Sequence, residues 1–429
     1  MCYAIPGKVE QIQGKTVIVD YFGEKKKAYN ETEGLCPGDY IYAQGGYVIE
    51  KVPRDDALQI LSMWKEAFFR LQKTDLLLSK IDIDPDFTDK KLLRILDRAM
   101  QRVKLTKAEL SYLMDLEEEQ ALEALYKTAN FLRFKYHRNA CCVHGIIEIS
   151  NWCRKDCAYC GISLHNSNLK RYRMNKQEIM DAVYQAVEVN KFKALVLQSG
   201  EDTGYSTKEL SAIIREIKEK FAVLIFITFG EVGIDSLQEL FSAGARGLLL
   251  RFETSNPDLY HNFCPAGNWQ VRMEHIKAAY KMGYLIATGG LIGLPGQSRQ
   301  DIINDILLAK ELSAEMFSFG PFMPHPDTPL GRNQPPLEKE VLKTLALSRL
   351  IDAENAKILV TTAFETLSPN ARQKGLMAGA SSFMLNATPQ KYRNLYSIYP
   401  NKAHNNEDLS FQIQETISLL QSLGRAPAD

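Results

Sequence analysis

The first fifty or so residues alternate apolar and polar positions in short runs: GKVEQI, KTVIVDYF, KKKAYN and DYIYAQGGYVIEKV. A period of two marks half-buried strands, and Gly14, Gly23, Pro37-Gly38 and Gly45-Gly46 fall between the runs, where turns are needed. The pattern predicts a small all-β barrel. From Asp55 the period changes, and DDALQILSMWKEAFFRLQK carries apolar residues at helical spacing. Asp55 and Asp56 fall in the first turn, where the helix dipole favours negative charge. A helix therefore closes this unit. The stretch SKIDIDPDFTDK is polar, acidic and broken by Pro85, as a linker would be. The expected division is a first domain over residues 1–75, a linker over 76–90 and a second domain over 91–429.

The second unit opens with two helical segments, the second starting at Thr106-Lys-Ala-Glu109, a capping-box pattern. Strand and helix patterns then alternate. Eight apolar runs, GIIEIS, ALVLQSG, VLIFITF, GLLLRFE, LIATGGLIG, MFSFGPF, KILVTTAF and SSFMLN, are separated by segments such as NKQEIMDAVYQAV. The runs are almost continuously apolar, as strands covered on both faces must be, and right-handed crossovers would close them into a (β/α)8 TIM-type barrel. The fold class is thus α/β, a parallel barrel preceded by a small all-β domain with a C-terminal helix. In such a barrel, chemistry belongs to the C-terminal ends of the strands.

Charge narrows the partners. Lysine plus arginine and aspartate plus glutamate number 52 each, so no global field favours nucleic acid or an anionic membrane. No apolar run approaches the roughly 20 residues that span a bilayer, and the amino terminus lacks a signal-peptide pattern, so a cytoplasmic location is expected. Eight cysteines are too sparse for a disulfide scaffold in 429 residues, and clustered thiols in a reducing compartment bind metal or do redox chemistry.

Three of them cluster. Asn151-Trp-Cys153-Arg-Lys-Asp-Cys157-Ala-Tyr-Cys160-Gly161 directly follows the first apolar run of the barrel. Three thiolates can hold three irons of a [4Fe–4S] cube and leave the fourth iron open to ligands. Structural zinc is the competing reading, but it wants four closed ligands, and no second Cys-x2-Cys or His-x3-His pair follows. No cysteine occurs after Cys264, so one cluster per chain is expected. At the end of the second run, Gln198-Ser199-Gly200-Glu201-Asp202 combines a close-approach glycine with carboxylates that could accept from an ammonium group. The fourth run carries Arg251 and Glu253, which share one side by the strand period, and an inward ion pair is costly unless used.

The cysteine triplet resembles that of the radical S-adenosylmethionine (SAM) superfamily. The resemblance implies SAM chelated through its methionine amino and carboxylate groups to the open iron, and reductive cleavage to a 5′-deoxyadenosyl radical. It places Tyr159 at the adenine, Ser199, Gly200, Glu201 and Asp202 at the methionine amino group, and Glu253, Arg272 and Leu291 beside SAM, with Arg272 at its carboxylate.

From about Leu92 to Lys402 the chain resembles the HydE family, the radical SAM maturases of [FeFe]-hydrogenase, which are close to biotin and methylornithine synthases. RYRMNKQEI, VLQSGED, RFETSNPDLY, GLPGQS, FGPFMPHPDTPL and LNATPQKYRNLYSIYPNK carry the likeness. It implies an iron–carbonyl–cyanide–cysteine complex as substrate, a reductant such as flavodoxin or ferredoxin, and a substrate cavity lined by Gln198, Arg251, Thr361, Thr362, Met384, Tyr396 and Tyr399. Two features depart from the family pattern: Phe252 stands where histidine is common, and Cys141-Cys142-Val143-His144 lacks an arginine expected there. A methylornithine synthase-like rearrangement of an amino-acid skeleton is the second enzymatic reading.

The opening Met1-Cys2-Tyr3-Ala4-Ile5-Pro6-Gly7 and the following VDYFG resemble the HypC/HupF family of hydrogenase maturation chaperones over roughly the first 75 residues. There, Cys2 would help carry an iron fragment, and other hydrogenase maturation proteins would be partners. An iron-fragment chaperone or scaffold is accordingly a non-enzymatic reading.

Overall fold

The computed structural model describes residues 5–82, 87 and 89–427. Five strands, β1 (Gly7–Gln13), β2 (Thr16–Tyr21), β3 (Glu24–Tyr29), β4 (Tyr40–Gln44) and β5 (Tyr47–Val52), close a barrel in the order β1-β2-β3-β5-β4. Their alternation turns Val9, Val17, Val19, Ala28, Ile41 and Val48 inward as its core. Helix α1 (Arg54–Leu78) follows and packs Phe68 on Phe22, ring centroids 5.0 Å apart. It runs on through Leu76-Leu77-Leu78, past the helical pattern read from the sequence.

Three helices follow rather than two: α2 (Lys90–Met100), α3 (Lys107–Met114) and α4 (Glu119–His137). The expected capping box of Thr106 and Glu109 opens α3. The acidic turn after it separates α3 from α4, where Arg299 draws Asp115 (2.9 Å) and Glu117 (2.7 Å) outward. Arg133 of α4 and Asp75 of α1 form a fully buried ion pair, with Arg133 Nη2 donating to Asp75 Oδ1 at 2.7 Å and to Ser79 Oγ at 2.8 Å.

Eight parallel strands, β6 (Cys142–Ser150), β7 (Ala194–Ser199), β8 (Leu224–Thr228), β9 (Gly247–Leu249), β10 (Leu285–Thr288), β12 (Met316–Phe317), β14 (Lys357–Val360) and β15 (Ser382–Asn386), close the predicted (β/α)8 barrel, with β15 beside β6. The fifth and sixth runs are not single strands: β11 (Leu291–Ile292) and β13 (Gly320–Pro321) split off as a separate parallel pair. Between the two pieces Gly290 forms a parallel bridge with Glu253, and a Cβ there would stand 2.4 Å from the Glu253 carbonyl oxygen, so the close approach requires glycine.

The small barrel covers the N-terminal mouth of the large one. Tyr47 and Ile49 pack on the lumen residues Cys142, Ala194, Val196 and Phe226. Arg246, just before β9, pairs with Glu31 at 2.9 Å, and Lys193, just before β7, pairs with Glu50.

Near the C-terminal end, His404 lies between Glu407 (Nδ1 to Oε2, 2.7 Å) and Glu365 (Nε2 to Oε2, 3.4 Å). Burial acts to lower its pKa, but the hydrogen bonds to the two glutamates outweigh burial and raise it above 6.5. A raised histidine pKa means that this stabilisation is complete below pH 6.5 and is lost as pH rises through the folded-state value. Urea midpoints of wild type and His404→Gln are therefore expected to differ most below pH 6.5 and to draw together as the pH rises through the raised folded-state pKa. A pH-independent difference would contradict this assignment.

Candidate active site

The site is built from strand ends. Past Ser150, the end of β6, the loop carrying Cys153, Cys157 and Cys160 is pinned by Asn151, a fully buried amide that donates to the carbonyls of Lys170 (2.9 Å) and Leu395 (2.7 Å) and accepts from Tyr172 N–H (2.7 Å). Gly200, just past β7, backs the loop: a Cβ there would lie 2.3 Å from the Trp152 carbonyl oxygen and 2.7 Å from Cys153 Cβ.

A cavity of about 300 Å³ opens at this C-terminal mouth. Cys153, Cys157, Tyr159, Cys160, Gln198, Ser199, Glu201, Arg251, Glu253, Arg272, Leu291, Thr361, Thr362, Met384, Tyr396 and Tyr399 all face it. Gly200 lies behind the loop instead, and Asp202 turns away, accepting from Ser150 Oγ at 2.6 Å and Arg173 Nε at 2.7 Å. Cys2 is outside the described residues.

The three thiols resist ionisation when no cation lies among them. The Cys264 thiol, 3.5 Å away, and burial push Cys157 up; burial raises Cys153; burial and then the charges of Cys157 and Cys153 raise Cys160. Three mutually repelling soft donors facing one cavity fit a multinuclear iron cluster, whose positive charge would stabilise the thiolates.

Beside them lies a charged network. Glu231 Oε2 holds Lys155 at 2.8 Å and Oε1 holds Arg272 at 2.9 Å, while Glu201 Oε2 holds Arg154 at 3.1 Å and Oε1 accepts from Glu231 N–H at 3.0 Å. Arg272 is only 8% exposed and forms part of the cavity wall. Burial opposes its charge, yet Tyr260, Glu231 and Glu253 hold its pKa above the ordinary guanidinium value. Burial likewise pushes Glu231 up, but Arg272 and Lys155 outweigh it and keep the carboxylate ionised. Three cations, Arg154, Lys155 and Arg272, face two carboxylates, an imbalance that suits an anionic ligand group.

Arg251 and Glu253 lie beyond the end of β9 and pair at 3.2 Å between Nη2 and Oε2. Glu253 adopts φ +68°, a left-handed conformation that costs a non-glycine residue about 1–3 kcal/mol. Backbone bonds to Gly289 O (3.2 Å) and from Leu291 N–H (2.8 Å) hold it there. Between them, Phe252 is fully buried outside the cavity, its ring centroid 6.4 Å from that of Phe319, so the departure from histidine leaves the cavity lining unchanged.

Sequence reading missed Glu231 and Lys155. Glu231 follows the end of β8 just as Glu201 follows β7, and extending the strand-end rule to the third run would have found it. Cys264 is buried, as a small hydrophobe would be, but its sulfur touches that of Cys157 and it lines the cavity.

A closed parallel barrel with a Cys-x3-Cys-x2-Cys loop at its C-terminal mouth defines a radical SAM enzyme, and residues 147–309 match the Radical SAM superfamily. Its cofactors are a [4Fe–4S] cluster and SAM. The chain is 37% identical over 328 residues to the [FeFe] hydrogenase maturase subunit HydE of Thermotoga maritima, across 76% of this chain and 93% of that protein. It belongs to the HydE family. Residues 1–64 match the HupF/HypC family. Methylornithine synthase (PylB) shares the fold at a TM-score of 0.68 and 23% identity, over 78% of this chain and 97% of that one. HydG of Carboxydothermus hydrogenoformans does so at 0.66 and 18%, over 84% of each.

Proposed function

We propose that the protein acts on an iron–carbonyl–cyanide–cysteine complex during assembly of a hydrogenase metallocofactor. The observation carrying this reading is the single cavity that runs from the three cluster cysteines to Arg251, Thr361 and Thr362, polar groups suited to the amino-acid portion of such a substrate. Cys153, Cys157 and Cys160 would hold the cluster. With SAM bound, the cluster supplies reductive cleavage of the sulfur–carbon bond.

The chain's own residues would place SAM. Arg272, kept cationic by Glu231, would take its carboxylate. Glu201 would orient the amino group, Tyr159 and Leu291 would shield the adenosyl moiety from water, and Glu253 would stand beside it. Ser199 and the backbone at Gly200 complete this side, whereas Asp202, bound to Arg173, would support the loop from behind. Removing one partner of a buried charge pair costs about 2–5 kcal/mol, so Arg272→Ala is expected to raise the KM for SAM by about thirtyfold or more. An unchanged KM in a deoxyadenosine assay would remove Arg272 from the site.

Gln198, Arg251, Thr361, Thr362, Met384, Tyr396 and Tyr399 would receive the substrate. Incubating reduced protein with SAM and either the iron complex or free amino acids tests the assignment. Adenosylated sulfur products are expected, and isomerised amino acids would replace it with a mutase.

The two modules, 1–75 and 91–429 joined through 76–90, would work together in the cytoplasm with a flavodoxin- or ferredoxin-type reductant and other maturation proteins. No described helix is long and apolar enough to cross a membrane, and the balanced charge gives no general hold on nucleic acid. In this reading Cys2 carries an iron fragment. Cys2→Ser should leave SAM cleavage intact and lower maturation of a partner hydrogenase, and undiminished maturation would end the delivery idea.

A further inference from the structure

Cys264 has no part in the chemistry above, yet its sulfur lies 3.5 Å from that of Cys157, the middle cysteine of the cluster loop. Backbone as well as side chains holds the two together. The short helix Pro257–Phe263 ends at Cys264, and the turn that follows runs beside the cluster loop. On one side of Cys157, Ala158 N–H donates to the Phe263 carbonyl at 2.8 Å. On the other, Asp156 Oδ1 accepts from Ala266 N–H at 3.0 Å. Gly267 N–H closes the turn on the Cys264 carbonyl at 2.8 Å. These bonds bracket both cysteines, so their contact is a property of the fold.

The surroundings strengthen it. Cys264 is 3% exposed and packs in an apolar cluster with Phe263, Leu294 and Phe322, against which Cys157 and Tyr159 also lie. Bulk water is kept from this side of Cys157, and a hydrogen bond is electrostatically stronger where water is excluded.

A thiolate bonded to iron has lone pairs but no proton, so it can only accept, and the S–H of Cys264 is then the donor of the pair. Reduction of a cluster adds one negative charge, shared among its irons and sulfurs, and a donor aimed at a ligand sulfur stabilises the reduced state more than the oxidised one. Hydrogen bonds to the sulfurs are among the features that set the reduction potential of such clusters. We propose that Cys264 donates a hydrogen bond to the cluster-bound sulfur of Cys157 and thereby raises the reduction potential of the cluster. The electron needed for SAM cleavage is then easier to deliver. Cys264 acts through Cys157 as a positioning residue and is not a ligand, and its role rests on the reading that Cys157 holds the cluster.

The test is a potentiometric titration of reconstituted holoenzyme without SAM, following the reduced cluster by electron paramagnetic resonance and counting iron on the same samples. Cys264→Val removes the donor and still fills the space against water, whereas Cys264→Ser keeps a hydroxyl donor. At a fixed solution potential the valine variant is expected to show a reduced-to-oxidised ratio about threefold below wild type, which at about 59 mV per tenfold for one electron is about 30 mV. The serine variant should titrate close to wild type, and both should keep about four irons per chain. A valine variant that titrates like wild type overturns the proposal, and so does one that loses iron, which would make Cys264 a ligand. A serine variant shifted as far as the valine variant also overturns it, because the shift would then come from shape. A wild type that takes up no cluster ends both this proposal and the reading on which it rests.

Discussion

Cys157→Ala is expected to bring reductive SAM cleavage down to the level seen without protein. Cys157 is the middle ligand of the triplet, and two thiols cannot retain three irons of the cube. The fold should survive, because the lost side chain is small and lies at a cavity rather than in the barrel core. One neighbour could mask the effect: Cys264 Sγ lies 3.5 Å from Cys157 Sγ, close enough to substitute. The Cys157→Ala/Cys264→Ala double variant removes that route. Iron content and the visible absorption of the cluster, followed beside deoxyadenosine formation, check the prediction. A double variant that keeps full cleavage would show that the triplet is not the cluster site.

The second large effect concerns stability. Asp75→Ala is expected to lower the unfolding free energy by about 3–5 kcal/mol, because it leaves the fully buried Arg133 without its counter-charge. The loss should exceed that of a single hydrogen bond, about 1 kcal/mol, since Asp75 accepts from both Arg133 and Ser79. Asp75 lies near the end of α1 and Arg133 on α4, so the pair also ties the small module to the large one. Urea unfolding of wild type and variant measures it, and equal midpoints would contradict the account.

Most of the architecture was legible because its periods are clean. Val17 and Val19 alternate with half-buried neighbours in β2, and β6 reads almost continuously apolar because its outer row, Val143, Ile147 and Ile149, packs under the helices while its inner row fills the lumen. The split of the fifth and sixth strands was not legible, because the pairings made there, such as Gly290 with Glu253, join segments 37 residues apart in sequence. The direction of Asp202 was hidden for the same reason. Nothing local shows that Arg173 waits to claim it. Glu231 and Arg272 come from different elements, so their pairing too needed the closed barrel. The cluster loop was legible because its three ligands are neighbours in sequence.

The measurement that bears most directly on the central claim is anaerobic reconstitution of wild type, with metal counting and a deoxyadenosine assay on the same sample. About four irons per chain, negligible zinc and deoxyadenosine formed only when SAM and a reductant are both present are the predicted results. A protein that takes up zinc without iron, or that carries the full cluster yet releases no deoxyadenosine on reduction with SAM, would contradict it.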